Sequence, residues 1–77
     1  MYEYTICNVF DKDIFVKQCL AIERHIPDLS KSDLLEDVDG SQVQTYILKS
    51  NKTIKVMNDK LIGVEIHSEE ELTKYFK

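Results

Sequence analysis

Apolar and polar residues alternate over the first ten positions of the chain, which predicts a β-strand. One side of that strand carries Tyr2, Tyr4, Ile6 and Phe10, and the other carries Glu3, Thr5, Cys7 and Val9. Because both sides include apolar groups, the alternation leaves two alternatives open for the tyrosine row. It faces the core, which we favour, or it is exposed and forms part of an interface.

A helix is predicted over residues 12–26, where apolar residues recur at intervals of four, three and four: Phe15, Cys19, Ile22 and Ile26. Asp11 is in position to cap the first turn, and Pro27 ends the helix. Val16 and Leu20 are expected to widen the apolar stripe on one flank, so that the helix can lie across a sheet.

Residues 28–41 show neither strand nor helix periodicity, and the sequence predicts an irregular loop there. Within this loop, Ser30 and Asp33 have the spacing that caps one short helical turn, which would tuck Leu34 and Leu35 inward. The loop is expected to end in a turn at Asp39-Gly40.

Three further strands are predicted over residues 43–48, 53–57 and 61–66, where alternating segments are separated by turn residues. Since the connecting turns are short, these strands should form an antiparallel meander. Gly63 lies inside the third of them and indicates either a bulge or the close approach of another element.

A short final helix is predicted over residues 69–76, because Ser68 and Glu71 fit a capping box. The resulting order, β-α-β-β-β-α, predicts one small α+β domain: a four-stranded, mainly antiparallel sheet packed on one long helix. A chain of 77 residues removes only about 60% of its unfolded surface from water. Its core is therefore small, and a homodimer would add stability.

Composition narrows the class of protein further. Apolar residues make up 43% of the chain, and one proline and two glycines are too few for a disordered protein. No apolar run approaches the ~18–20 residues that cross a bilayer, and no secretory signal opens the chain. We therefore expect a soluble cytoplasmic protein with Cys7 and Cys19 as free thiols. Nine lysines to one arginine favour a low-GC bacterium or its phage as the source.

Negative charge is concentrated in residues 28–39, which hold five acids and one lysine and so account for the whole formal net charge of −4. The candidate partner-binding residues in this acidic segment are Asp33, Glu36, Asp37 and Asp39. Such a patch would dock on the basic surface of a partner protein, where complementary potential speeds encounter. The alternative is a solvated loop whose acids keep a small protein in solution.

Four lysines lie between residues 49 and 60, with Asp59 as the only acid among them. They are too few for a nucleic-acid interface, the chain as a whole is acidic, and no arginine lies among them to contact bases, so nucleic-acid binding is not expected. Lysines on an outer strand would instead discourage edge-to-edge pairing with other chains.

No metal, cofactor or catalytic constellation is expected. A calcium-loop comparison around Gly40 fails, because Leu35 and Tyr46 stand at the first and last ligand positions. The cysteines and histidines lack the close pairing of a typical zinc site, and two glycines cannot build a phosphate-binding loop. A site built on Cys7 or His67 is the weakest of the hypotheses.

The sequence therefore favours a small non-enzymatic protein-interaction module of the inhibitor, immunity or phage-modulator type. It would bind a partner with a basic surface through the acidic segment. The alternative is a homodimeric structural or assembly protein.

Overall fold

A meander of three long antiparallel strands forms the centre of the molecule in the computed structural model, which describes residues 1–76. The elements are β1 (Tyr2–Cys7), α1 (Lys12–His25), β2 (Ser30–Lys31), β3 (Leu35–Glu36), β4 (Gln42–Ile47), β5 (Thr53–Asp59), β6 (Gly63–Ser68) and a 3-10 turn (Thr73–Tyr75). The sheet order is β1-β6-β5-β4-β2, β3 also pairs with β4, and every pairing is antiparallel. The predicted α+β fold is confirmed, with six strands in place of four.

Helix α1 begins and ends close to its predicted bounds. The side chain of Asp11 accepts a hydrogen bond from the backbone N–H of Ile14 at 3.0 Å, which confirms the predicted N-cap. The four residues of the apolar stripe, Phe15, Cys19, Ile22 and Ile26, are all buried. Val16 and Leu20 are exposed, so the prediction of a wider stripe was wrong.

The core lies between α1 and one face of the sheet. The sheet side of this core consists mainly of Tyr46, Ile54, Val56, Val64 and Ile66, and Leu72 from the C-terminal segment completes it. These positions alternate along their strands, because successive side chains of a strand point to opposite faces. Burying one such aliphatic side chain contributes ~1.5–3 kcal/mol relative to leaving it exposed.

Two polar groups are built into this core with their hydrogen bonds satisfied. Asn58 is fully buried, accepts from the backbone N–H of Asp11 at 3.1 Å and donates to Gln42 at 3.2 Å. The hydroxyl of buried Tyr46 donates to Glu23 at 2.5 Å, and Lys31 lies 3.1 Å from the same carboxylate oxygen. These bonds tie the start of α1 to β5, and its last turns to β4 and β2.

The structure of β1 explains why alternation alone did not determine which of its faces packs against the core. Tyr4 packs against the core, but a bulge between Thr5 and Cys7 interrupts the pairing with β6, and Cys7 packs against the core as well. Tyr2 and Ile6 remain exposed at the edge of the sheet. The prediction that the tyrosine row faces the core is therefore confirmed for Tyr4, whereas Tyr2 and Ile6 are exposed, as the alternative predicted.

Close approach explains Gly63. Its φ is +105°, and a Cβ built there would lie 2.3 Å from the backbone oxygen of Cys7. Of the two predicted explanations, the close approach of another element is confirmed, and that element is the end of β1.

The predicted irregular loop contains an edge strand, and the helical turn expected at Ser30 to Asp33 is absent from the described chain. Lys31 pairs with Tyr46 and Leu35 with Val43, so three residues lie opposite two and the segment carries one extra residue. The buried Gln44 amide fills this bulge by donating to the backbone oxygen of Ser32 at 2.6 Å. We call residues 30–36 the bulged edge segment; its leucines are exposed, not tucked inward.

The C-terminal helix predicted over residues 69–76 is reduced to the 3-10 turn. Ser68 accepts a hydrogen bond from the N–H of Glu70 at 3.1 Å, but the Glu71 side chain contacts Thr73 instead of reaching back to Ser68. Glu69, predicted to lie in the first turn of that helix, contacts the sheet instead. Its carboxylate accepts from the backbone and side chain of Thr53, and these bonds lower its pKa.

Candidate protein-docking site

The acidic turn between β3 and β4 has a defined shape. The N–H of Asp37 donates to the oxygen of Ser41 at 2.8 Å, and the N–H of Gly40 donates to the oxygen of Asp37 at 3.0 Å. Gly40 has a φ of +91°, which L-residues with a side chain rarely adopt, so the predicted Asp39-Gly40 turn is confirmed. The turn projects Val38 away from the sheet.

A second turn, between β5 and β6, lies against the first. The backbone N–H of Lys60 donates to the Ser41 hydroxyl at 3.2 Å. The Asp59 carboxylate accepts from the N–H groups of Leu61 and Ile62, at 2.8 and 3.1 Å, and so stabilises this turn internally. The two turns are neighbours because β4 begins where antiparallel β5 ends.

Together these two turns and β3 form one surface, residues 35–41 and 59–62, which we call the acidic end. It carries four carboxylates, on Glu36, Asp37, Asp39 and Asp59, against one lysine. Hydrogen bonds from the backbone and side chain of Ser41 lower the pKa of Asp39, with a smaller contribution from the charge of Lys60. Asp39 therefore keeps its negative charge to a lower pH than an ordinary aspartate does.

Exposed apolar side chains stand among these acids. Val38 and Leu61 are almost entirely accessible, at 104% and 93% of a free side chain, and Leu35 and Ile62 are more than half exposed. Scattered exposed apolar residues are ordinary, but four on β3 and two adjoining turns form a patch. An apolar patch ringed by charge has the composition of a protein interface, in which an apolar centre is surrounded by a polar rim.

A shallow cavity of about 340 Å³ opens beside the patch. Leu35 and Val43 face each other across the β3–β4 pairing and form its apolar part, whereas Glu36, Asp37 and Asp59 border it. It lies on the face of the sheet opposite α1. This cavity is large enough for one side chain of a partner, and its acidic border suits the aliphatic stem and charged head of a lysine or arginine.

The structure brings together three of the four predicted site residues. Glu36, Asp37 and Asp39 belong to the acidic end, whereas Asp33 lies in the bulge of the edge segment, apart from the turn. All four side chains are exposed. Sequence reasoning missed Asp59, which had been counted with the lysines. The meander itself could have revealed it, since the start of one strand and the end of the next must be adjacent.

The lysines between residues 49 and 60 do not protect an edge. Lys55 lies on β5, which is an interior strand of the sheet, and Lys49 and Lys52 flank the turn between β4 and β5. The edge-protection interpretation was therefore wrong. Lys60 belongs to the acidic end, where its ammonium stands 5.7 Å from the centre of the Phe10 ring.

The remaining chemistry-bearing groups are dispersed. His67 lies on the open face of the sheet, 3.2 Å from Glu65 and 3.9 Å from Glu3. Both thiols are free: Cys7 is half-buried and donates to the oxygen of Val9, and Cys19 is buried, which raises its pKa. Within residues 1–76, no group of three or more histidine, cysteine, aspartate or glutamate side chains is placed to hold a metal ion.

Comparisons of the chain with protein-family models, curated proteins and solved structures found no match. No helix in the described part of the chain is both long and apolar enough to span a membrane.

Proposed function

We propose that this chain is a non-enzymatic protein-interaction module that docks on the basic surface of a partner protein through the acidic end. A bacterial or phage inhibitor, immunity protein or modulator would act in this way. The observation that carries the proposal is the presence of four carboxylates and four exposed apolar side chains together on β3 and the two adjoining turns. Acids alone are explained by solvation, but an apolar patch among them is costly to leave in water.

The two kinds of side chain would contribute differently to binding. Carboxylates steer a basic partner toward the surface and orient it, so their effect falls as salt is added. Val38 and Leu61 would be buried at the centre of the contact, and burying apolar surface depends little on salt. A docking surface of this type therefore predicts two separable classes of variant.

The first experiment immobilises the protein, captures partners from lysate of the source organism, and then measures the affinity of a purified partner over a range of salt concentrations. The acid variant carries Asp33→Asn, Glu36→Gln, Asp37→Asn and Asp39→Asn. We expect weaker binding and a shallower salt dependence. Its matched control makes the same change in net charge elsewhere, through Asp13→Asn, Asp28→Asn, Glu65→Gln and Glu71→Gln, and should retain most of the affinity.

The apolar variant, Val38→Ser with Leu61→Ser, should lose affinity while the salt dependence stays that of the wild type. Since both side chains are exposed, the stability of the fold should hardly change. Equal affinity of the wild type and the acid variant, or equal losses in the acid variant and its charge-matched control, would contradict the proposal.

A second candidate, a homodimeric structural or assembly protein, is favoured by a different observation. The sheet ends at β1 on one side, and that strand contains neither lysine nor proline, although a bulge interrupts it between Thr5 and Cys7.

A further inference from the structure

The bulged edge segment is held to the rest of the molecule by few contacts. Every side chain of residues 30–36 is exposed, so none of them belongs to the core. The segment pairs with β4 over two stretches of two residues each, with the bulge between them. Local opening of such a segment costs little free energy, because little apolar surface becomes exposed to water.

The chain on either side of the segment is anchored independently of it. Leu29 packs against the core at one end. At the other end the acidic turn closes on itself, since the N–H of Asp37 donates to the oxygen of Ser41 at 2.8 Å. The residues between these anchors can therefore leave β4 while both flanking stretches stay in place.

Strand β4 differs from its neighbours in the side chains that opening would uncover. On the core face of the sheet, β5 and β6 contribute four aliphatic side chains: Ile54, Val56, Val64 and Ile66. On β4 the same face carries Gln42, Gln44 and Tyr46. Opening would uncover amide groups that water can solvate, and Gln44 would exchange its bond to the Ser32 oxygen for one to water.

One side-chain contact fastens the segment to α1. The ammonium of Lys31 lies 3.1 Å from the Glu23 carboxylate, which also accepts the hydroxyl of Tyr46. Within residues 1–76, no other ion pair or side-chain hydrogen bond joins the segment to the helix. Because Tyr46 holds the carboxylate in place, Glu23 stays in position to receive Lys31 whenever the segment closes.

We infer that the bulged edge segment is a conformational switch. It opens from β4 as one unit while the rest of the sheet stays folded, and the ion pair between Lys31 and Glu23 fastens it closed. Opening withdraws Leu35 and Glu36 from the acidic end, and with them one wall of its cavity. The docking surface is therefore complete only in the closed state, a consequence that rests on the proposed function.

Native-state hydrogen exchange of the free protein tests the switch without any partner. The N–H of Ser32 donates to the oxygen of Thr45 at 3.0 Å. After correction for intrinsic rates, it should exchange at least ~10-fold faster than the core amides of β5. Its exchange should also respond little to low concentrations of urea, because local opening exposes little surface, whereas exchange in β5 should accelerate.

Lys31→Met tests the fastening contact. Lys17→Met is the matched control, because it removes the same charge from an exposed position of α1. Lys31→Met should speed the exchange of Ser32 about two- to fivefold, as expected for an exposed ion pair, and leave β5 unchanged. Lys17→Met should change neither.

A disulfide tests whether the segment opens as one unit. In a Cys7→Ser background, Leu35→Cys and Val43→Cys place two thiols at partner positions of the β3–β4 pairing. Oxidation should slow the exchange of Ser32 roughly tenfold or more, although this residue lies in the other half of the segment. Reduction of the same sample should restore the faster rate.

Three results would overturn the inference. They are protection and urea dependence of Ser32 equal to those of β5, equal effects of Lys31→Met and Lys17→Met, and unchanged exchange of Ser32 in the oxidised protein. None of these measurements involves a partner, so the switch and the proposed docking function can fail separately.

Discussion

The two edges of the sheet differ in the protection they carry. At one side β4 is covered by the bulged edge segment, which pairs with it over two stretches of only two residues each. This segment also carries three charged residues, Lys31, Asp33 and Glu36. At the other side β1 is longer, carries one charge and ends the sheet. Short, bulged and charged strands are poor templates for further pairing. Strand β1 is bulged as well, between Thr5 and Cys7, but it is longer and contains neither lysine nor proline.

The two sides of the sheet therefore present different chemical groups. The protected side, formed by the bulged edge segment, presents side chains. It adjoins the acidic end, where charged and apolar groups would recognise a partner. The open side presents backbone groups, whose pairing depends on register more than on charge. We therefore expect substitutions at the two edges to differ in their effects on stability.

The largest effect is expected from paired substitutions at the two glycines with positive φ. Gly63→Ala would drive a Cβ to 2.3 Å from the backbone oxygen of Cys7, so the end of β1 must move, and we expect a loss of ~3 kcal/mol or more. Gly40→Ala, beside the protected edge, would meet the flexible Lys60 side chain at 3.3 Å, and we expect a loss of ~1 kcal/mol. Urea denaturation measures both.

Equal losses at the two glycines would show that backbone strain, and not the contact with β1, governs both positions. In that case the attachment of β1 would not differ from that of the protected edge.

A smaller effect is expected from removing one side-chain anchor at each edge. Gln44→Leu removes the amide that donates to the Ser32 oxygen at 2.6 Å and should cost ~1–2 kcal/mol. Tyr4→Phe removes the hydroxyl that accepts from the backbone N–H of Leu72 at 3.1 Å and should cost ~1 kcal/mol.

Hydrogen exchange locates the two changes. Gln44→Leu should speed exchange in the bulged edge segment and leave β1 unchanged, whereas Tyr4→Phe should act on β1 and the C-terminal segment. Faster exchange in both regions for either variant would mean that the edges are not independent.

The smallest effect on stability is expected from lowering the pH. Hydrogen bonds lower the pKa of Asp39 at the acidic end, and of Glu69 and Glu70 near the C-terminus, relative to the unfolded chain. Their contribution to stability is present above the ordinary carboxylate pKa and is lost as pH falls through the lower folded-state pKa. Stability should therefore decline modestly below about pH 4.5.

Urea midpoints across this pH range provide the measurement. Asp39→Asn should flatten part of the decline, while Asp33→Asn serves as the control. A decline of the same size in both variants would indicate that Asp39 contributes nothing specific.

Local sequence patterns were sufficient to predict the helix and the three-stranded meander. Asp11, the Phe15 to Ile26 stripe and Pro27 each act on the backbone or the core through neighbours in sequence, so their roles could be inferred without tertiary structure. The C-terminal segment shows the limit of that reasoning. Its capping-box residues are present, but with Leu72 bound to Tyr4 and Glu69 bound to Thr53 the segment follows the sheet instead of forming a helix.

The candidate site was predictable in composition but not in shape. Charge segregation in residues 28–39 identified three of its four carboxylates, Glu36, Asp37 and Asp39. Its shape depends on contacts between residues that are distant in sequence. The hydrogen bond from Lys60 to Ser41 brings Asp59 into the site. The hydrogen bond from Gln44 to Ser32 holds the bulged edge segment extended, with its leucines exposed. Such pairs cannot be predicted from periodicity, because neither residue of a pair forms a pattern with its neighbours in sequence.

The sequence by itself determined the α+β class, the helix and its buried stripe, the order of the three long strands and the sign of the charge near residue 37. Tertiary structure alone decided which strands are edges, which tyrosine of β1 packs against the core and which turns meet. The physical reason is that periodicity specifies a face of an element, whereas edges, bulges and adjoining turns arise only when the elements pair.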